Sequence, residues 1–464
     1  MLMASRTDNE AWIEADIASP RKGPKVKTST GRSKAPFYKV LQGMPIAVDA
    51  FKYGAIPNVT AYFLTHAHSD HYTNLSSSWK NGPIYCSEGT ANLIMHMLKV
   101  DKKWVRPLPM DIPTEIPNTN GVKVTLIEAN HCPGSSLFFF EGKQTLHAGD
   151  SEFKSIFIGS DKVYRYLHCG DFRASPQHVL HPCVKGKKID HVYLDTTYLD
   201  PKYSFPPQPQ VISACAELAK RISDGTTTNT KSPMNGWLTS TPAGPSSSPG
   251  TSKKMKRTLM IVGTYSIGKE RIVKAIAKAL KSKVYCNAQK TAILKCQTDP
   301  ELHAMLTNKP LEAQVHVVPL NNVISDVLKE YVKKYQEHFD NAVAFRPTGW
   351  TFSPPAGTET IPTVNAVIAK ASKGGTFSWT DLKPAARGGT SGLQIYGVPY
   401  SEHSSFVELT CFALSLQWGK MIATVNVGDA KRRDAMAKWF DKWEEGRKKN
   451  DKEHIVPYRD SEYW

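Results

Sequence analysis

From about residue 36 the chain alternates short apolar runs with polar, glycine- and proline-bearing loops. The runs AYFLT (61–65), VKVTLIEA (122–129) and HVYLDTT (191–197) are brief and rich in β-branched and aromatic residues, which predicts strands. A proline-rich junction follows (Pro201, Pro206, Pro207, Pro209), and then VISACAELAKRI, with helical periodicity. Beyond residue 257 the rhythm changes. TLMIVG, KVYC, QVHVVP, AVAF and LQIYGV are interleaved with KERIVKAIAKAL and VISDVLKEYVKKY. Such alternation predicts an α/β unit with a largely parallel sheet. Near the C-terminus Met436, Trp439, Phe440 and Trp443 stand at i, i+3, i+4 and i+7, a stripe that reads as core packing. Two stretches carry no such pattern. Residues 1–35 are polar, basic and interrupted by Pro20 and Pro24, and a disordered tail is expected there. Residues 224–256 are dominated by Ser, Thr, Pro and Gly and read as a flexible insertion.

At 464 residues the chain has length for two or three domains. With no run of eighteen apolar residues, a membrane span is not expected. The first residues have early acids and no apolar h-region, so they do not read as a secretory signal. Eight cysteines are scattered without a CxxC pair, which points to reduced thiols in an intracellular setting. Charge adds more. The formal net charge is +17, and between Asp16 and Asp49 there is no acid while Arg21, Lys22, Lys25, Lys27, Arg32, Lys34 and Lys39 accumulate. A basic excess favours polyanionic partners through counterion release; a solvated tail explains that segment equally well.

The chemistry concentrates in FLTHAHSDHYTNL (63–75). His66, His68, Asp70 and His71 follow an apolar strand, and four side chains of ligand type within six positions predict a metal site. On an extended segment His66 and His68 face the same way and grip one ion; Asp70 and His71, past the turn, reach a second. His131 in EANHCPGS lies at another strand end. A bridging carboxylate comes from one of two similar segments, TLHAGD ending at Asp150 or YLHCGDFR ending at Asp171. We assign Asp171, which precedes FRASP and the Asp195 strand. Asp150, His147 and His168 are then surface or supporting residues.

GTYSIGKE (263–270) has the opening of a P-loop after a strand and before a helix. Glu270 replaces the Ser or Thr that magnesium needs, so an ATPase is not expected. Backbone N–H groups at a helix start, with Lys269, still attract an anion such as a substrate phosphate. In PYSEHSSF, His403 sits among Ser401, Ser404 and Ser405 after the strand LQIYGV.

Taken in order, VDAFKYG, FLTHAHSDHY, NHCPGS, GDFR and LDTTY resemble the successive motifs of the metallo-β-lactamase superfamily. GTYSIGKERI, AFRPTGWT and PYSEHSSF resemble its β-CASP nucleases, and within them the DNA cross-link repair exonucleases, the fungal branch most closely. The resemblance covers about residues 36–430, interrupted by the 224–256 insertion and by 143–165. It implies an αββα metallo-β-lactamase domain from 36–205 and 396–464, with an α/β β-CASP cap inserted at 206–395. It also implies zinc held by His66, His68 and His131. Asp70 and His71 would serve a second ion, zinc or magnesium, and Asp171 would lie between the two. Asp49 would orient the ligand loop, Asp195 would support a ligand or the water, and Asp70 would orient or deprotonate that water. Ser401, His403 and Ser404 would receive a 5′-phosphate. Val425 stands where RNA-processing relatives carry a histidine, which favours DNA. The expected function is a monomeric nuclear 5′→3′ DNA exonuclease in interstrand cross-link repair. A hairpin- or overhang-opening endonuclease ranks second, followed by an RNA-processing endonuclease and an inactive scaffold.

Overall fold

A computed structural model describes residues 11–16, 31–226, 257–324, 326–349, 362–390, 392–449 and 455–464. Three sheets organise them. β1 (Ile46–Val48), β2 (Ala61–Phe63), β3 (Ile84–Ser87) and β4 (Val105–Leu108) pair in parallel in that order. A second sheet holds β5 (Thr114–Glu115), β6 (Lys123–Glu128), β7 (Ser136–Lys143), β8 (Val163–His168) and β9 (Lys188–Leu194). It is antiparallel from β5 to β8 and parallel at β8–β9. The chain then leaves to build a third, wholly parallel sheet from β10 (Thr258–Thr264), β11 (Lys283–Tyr285), β12 (Leu306–Thr307), β13 (Ala313–Pro319), β14 (Asn341–Pro347) and β15 (Leu393–Val398), in the order β12-β11-β13-β10-β14-β15. It returns to lay β16 (Gln417–Ala423) beside β9 as the edge of the second sheet.

The period of two along each strand decides the layers. Phe138 and Phe140 of β7, with Val124 and Leu126 of β6, meet Ile46, Val48 and Phe63 from the first sheet in a core between the two sheets. Their sequence neighbours Leu137 and Phe139 face the other way, onto α4 (Phe406–Leu414) and α5 (Ala430–Lys449). The outer side of the first sheet, Tyr62 and Leu64, packs on Leu93 and Ile94 of α1 (Glu88–Leu98). The result is the αββα sandwich. The third sheet is apolar on both faces, as parallel sheets are. Met260 and Val262 pack toward α2 (Gln208–Ser223) and α3 (Glu270–Ala279), while Leu259 and Ile261 form the opposite cluster. On α5, Met436, Trp439 and Trp443 are buried, Phe440 packs against them, and the Trp443 indole N–H donates to Thr410 Oγ1 at 3.2 Å.

One expectation is corrected here. Residues 11–16 are helical rather than part of a disordered tail, because Trp12 has rings to pack on: Phe37 at 4.8 Å and Tyr38 at 5.5 Å between centroids. Asp16 accepts from the Arg433 guanidinium at 2.6 Å, and Glu14 accepts from Ser151 Oγ at 2.8 Å. Residues 31–35 are likewise placed, Arg32 by Asp150. Residues 1–10, 17–30 and 227–256, and Trp350 and Thr351 of the AFRPTGWT motif, lie outside the described residues. No helix among the described residues is long and apolar enough to cross a membrane.

Candidate metal centre

Every candidate side chain lies just past the carboxyl end of a strand. His66, His68, Asp70 and His71 follow β2, His131 follows β6, Asp171 follows β8, Asp195 follows β9 and His403 follows β15. Strands that end together on one side of α/β layers bring their loops to a common crevice, and loops of all three sheets meet here.

Three imidazoles form the first group. His131 Nε2 is 3.1 Å from His68 Nδ1, and the His66 ring centroid is 4.7 Å from each of theirs. Their other ring nitrogens are engaged: His131 Nδ1–H donates to the Glu402 carbonyl at 2.7 Å, and His68 Nε2–H to the Ile267 carbonyl at 3.4 Å. His66 Nδ1 lies 3.0 Å from Thr65 Oγ1. His66 Nε2 is fully buried and has no hydrogen-bond partner. Burial, and then the neighbouring imidazoles, hold His66 well below the ordinary histidine range, and push His131 down to about 3. Neutral rings with lone pairs converging on one point are what a divalent cation of the zinc type requires.

The second group is His66, His71 and Asp171. His71 Nε2 is 3.2 Å from Asp171 Oδ2, which lies 3.8 Å from His66 Nε2 and 3.9 Å from His403 Nε2. Asp171 also forms a third compact set with His131 and His403. Burial opposes its charge, but His71 and His403 outweigh burial and hold the carboxyl well below its usual range. Asp49 sits behind, accepting from the Thr65 N–H at 2.9 Å, Thr65 Oγ1 at 2.8 Å and His71 Nδ1–H at 2.7 Å. It does so with φ near +49°, a left-handed conformation that Asp tolerates better than most residues. Asp195 accepts from His403 Nδ1–H at 2.9 Å and so fixes that ring; against burial, Asp195 and Asp171 raise His403 to about 9. Asp70 stands at the rim, its side chain 78% exposed and its carboxylate 3.7 Å from His71 Nε2. Among the described residues, it belongs to none of these compact sets.

Asp150 is elsewhere. It accepts from the Arg32 guanidinium and from the Ala35 N–H at 2.8 Å, and it pins the 143–165 segment to residues 32–35. His147 offers only its carbonyl, to Asn58, while His168 is buried and stacked on Tyr193.

The side chains expected at a phosphate are engaged with the protein itself. Lys269 is 5% exposed, and its ammonium is 2.7 Å from Glu402 Oε2, so its charge is already matched by a buried carboxylate. Ser401 Oγ closes a turn, accepting from the His403 N–H at 3.0 Å and donating to the His403 carbonyl. Ser404 Oγ donates to the Phe172 carbonyl and accepts from the Ala174 N–H, both at 2.9 Å. Of that set, His403 places its Nε2 3.9 Å from Asp171 Oδ2.

Three residues without an assigned role hold the site together. Thr65 bridges Asp49 and His66. Arg173, 1% exposed, donates to Glu408, to the Ser401 carbonyl at 2.7 Å and to the Pro206 carbonyl at 2.8 Å. Glu402 carries the His131 acceptor on its backbone and pairs with Lys269 through its side chain. GDFR and PYSEHSSF already display Arg173 and Glu402; their partners are remote in sequence, so no local pattern marks the roles.

Comparison with known proteins agrees with this geometry. The family described as DNA repair metallo-beta-lactamase matches residues 300–429, and a beta-lactamase superfamily domain matches 36–226. The DNA cross-link repair protein pso2/snm1 of Schizosaccharomyces pombe is 41% identical over 420 residues, 90% of this chain and 66% of that protein. The DNA cross-link repair protein SNM1 of Arabidopsis thaliana is 38% identical over 409 residues, covering 88% of this chain and 69% of that protein. The 5′ exonuclease Apollo of Gallus gallus is 27% identical over 388 residues, 84% and 63% of the two chains. With a sandwich whose loops gather three histidines around an unpartnered nitrogen, and with these relatives, the chain belongs to the SNM1/Pso2 family of DNA cross-link repair metallo-β-lactamase proteins.

Proposed function

We propose that the chain is a metal-dependent DNA nuclease, a 5′→3′ exonuclease that acts in interstrand cross-link repair in the nucleus and works as a monomer. The observation that carries the reading is the buried, unpartnered His66 Nε2 facing His68 Nδ1 and His131 Nε2, with Asp171 and His71 beside them. Zinc is the ion this donor set suits: His66 Nε2, His68 Nδ1 and His131 Nε2 would hold one, and His71 and Asp171 would serve a second, zinc or magnesium. When bound, zinc lowers the pKa of water toward about 7 and offsets charge developing on a phosphoryl group.

The protein's own groups supply the rest. Asp195 holds the His403 ring with Nε2 toward Asp171, so the protonated ring presents an N–H to a phosphate oxygen or to the leaving oxygen. Asp70, exposed at the mouth, is free to orient an attacking water as substrate enters. Asp49 and Thr65 hold His71 and His66 so that neither has to reorganise. Val425, tied by its backbone to Thr196 next to Asp195, cannot act as a ligand, which supports DNA over RNA as substrate.

A second reading has one observation in its favour. With the Ser401 and Ser404 hydroxyls and Lys269 committed to the fold, His403 remains as the candidate for a terminal phosphate, and an end-independent endonuclease needs no such pocket. The test is cleavage of end-labelled single-stranded DNA and RNA bearing a 5′-phosphate or 5′-hydroxyl, with zinc or magnesium. Asp70→Ala serves as control. Stepwise loss from 5′-phosphorylated DNA, absent in the variant, sustains the exonuclease. Internal cuts indifferent to the 5′ group point to the endonuclease, and no cleavage of any substrate overturns both.

A further inference from the structure

Two of the three imidazoles in the first metal group are oriented by the third-sheet unit and its return loop, not by the sandwich that carries them. His68 donates to the carbonyl of Ile267, in the loop after β10, and His131 to the carbonyl of Glu402, in the loop after β15. These two loops are locked to one another. The Glu402 carboxylate accepts from the Lys269 backbone N–H and from its ammonium, both at 2.7 Å, and both side chains are 5% exposed. Burial alone would raise the Glu402 pKa; Lys269, then His131, outweigh it and keep the carboxylate charged.

The approach is close. Gly268 has φ near +97°, and a Cβ there would stand 2.8 Å from Glu402 Oε2. Lys269 itself caps α3 in a left-handed conformation, φ +72°. The Ile267 side chain, fully buried, joins the core cluster beneath the first sheet that also holds Leu64, Ala67, Cys132 and Ile293. One short segment, Ile267–Lys269, thus plugs the sandwich with a side chain, receives His68 with a carbonyl and clamps Glu402 with a charge.

We propose that Glu402 and the Ile267–Lys269 segment are positioning residues for the metal: the first-group site is completed only when the third-sheet unit is seated, so metal binding and seating of that unit are coupled. Outer acceptors fix which imidazole nitrogen is protonated and where the other points, and their loss typically lowers metal affinity 10- to 100-fold. Coupling through binding equilibria is reciprocal, so an ion in the site tightens the loops that orient its ligands. The inference rests on the metal-binding reading above.

Two measurements on the full chain test it. The first needs no variant: hydrogen exchange of wild-type protein, stripped with chelator and then given zinc, with bound zinc counted in the same samples. The Lys269 and His403 amides, bonded to Glu402 Oε1 and Ser401 Oγ, are expected to exchange at least about tenfold more slowly with zinc, in line with the smaller outer-shell effect. The second is zinc affinity by competition with a chromophoric chelator, together with the visible spectrum of the cobalt-substituted site. Gly268→Ala, which pushes the Glu402 carboxylate away without changing any charge, is expected to weaken zinc at least about tenfold and alter the cobalt bands. Gly159→Ala, also at positive φ but with open space around its Cβ, is the control for backbone strain and is expected to match wild type. Zinc bound at full stoichiometry with unchanged exchange at these loops, or with Gly268→Ala indistinguishable from the control, overturns the coupling and leaves the metal site standing. No zinc bound by the wild-type chain removes the metal reading and the coupling with it.

Discussion

Asp150 and Asp171 end nearly identical segments, LHAGD and LHCGD, and have opposite uses. Asp171 is gathered among His66, His71 and His403, while Asp150 anchors Arg32 and the Ala35 amide. Asp171→Asn is expected to lower nuclease activity by more than about 100-fold, since losses of outer partners alone reach that range. Asp150→Asn is expected to keep most activity and to lower stability by about 1–3 kcal/mol, the range for a charged hydrogen bond. Rates measured beside a denaturant midpoint separate the two; the reverse pattern refutes the assignment. The residues that the structure gathers in the crevice were legible in the sequence because each sits in a short motif at a strand end. For Lys269, Ser401 and Ser404, local sequence shows that a cation or hydroxyl is present but not whether it is already engaged. Glu402, which pairs with Lys269, and the backbone at Phe172 and Ala174, which bonds Ser404, arrive from other parts of the chain; Ser401 bonds the His403 backbone two residues on.

At the level of elements, the interior holds more polar structure than its hydrophobic pattern announces. Arg173 ties the loop after β8 to α4 and to the turn carrying Ser401. Arg173→Met leaves Glu408 buried without its partner, and the expected cost is about 3–5 kcal/mol by chemical denaturation. His178, 1% exposed at the start of the helix Pro176–Leu180, accepts from the Ser175 N–H at 3.0 Å and donates to the Glu128 carbonyl at 2.9 Å. Burial pushes it down to about 4. The unfolded chain takes up this proton near pH 6.5 and the folded chain does not until about 4, so its contribution to stability falls as pH drops through that window. The expected slope is about 1.4 kcal/mol per pH unit from this one group. His178→Gln is expected to flatten that slope in a pH series of melts. Strand and helix positions were legible from periodicity, as with the α5 stripe. The 11–16 helix was not: its apolar residues are Trp12, a half-exposed Ile13 and two alanines, and it is held by Phe37, Tyr38 and Arg433.

For the whole molecule, a net charge of +17 predicts that DNA affinity falls steeply as salt rises. Between 50 and 200 mM salt we expect at least about a tenfold loss in fluorescence-anisotropy titrations, linear on logarithmic axes, because each neutralised phosphate releases counterions. A flat response would mean that the basic excess lies away from the bound strand. The sandwich and the inserted parallel sheet were both legible, one from strand-end motifs and the other from the strand–helix alternation after residue 257. Which loop of one unit serves which histidine of the other was not, since those contacts are backbone carbonyls and carry no side-chain signature.

The return of β16 to the first sandwich has a consequence for synthesis on the ribosome. Residues from His66 to Asp171 emerge before the third sheet, yet the second sheet lacks its edge strand, and His131 lacks its Glu402 acceptor, until the entire third sheet has been made. At roughly 5–20 residues per second that interval lasts on the order of ten seconds or more. During it the nascent chain exposes the open side of β9 and carries an unfinished set of metal ligands. A chain assembled in this order completes its ligand set only after the third sheet, which supplies the loops that orient it, has been made.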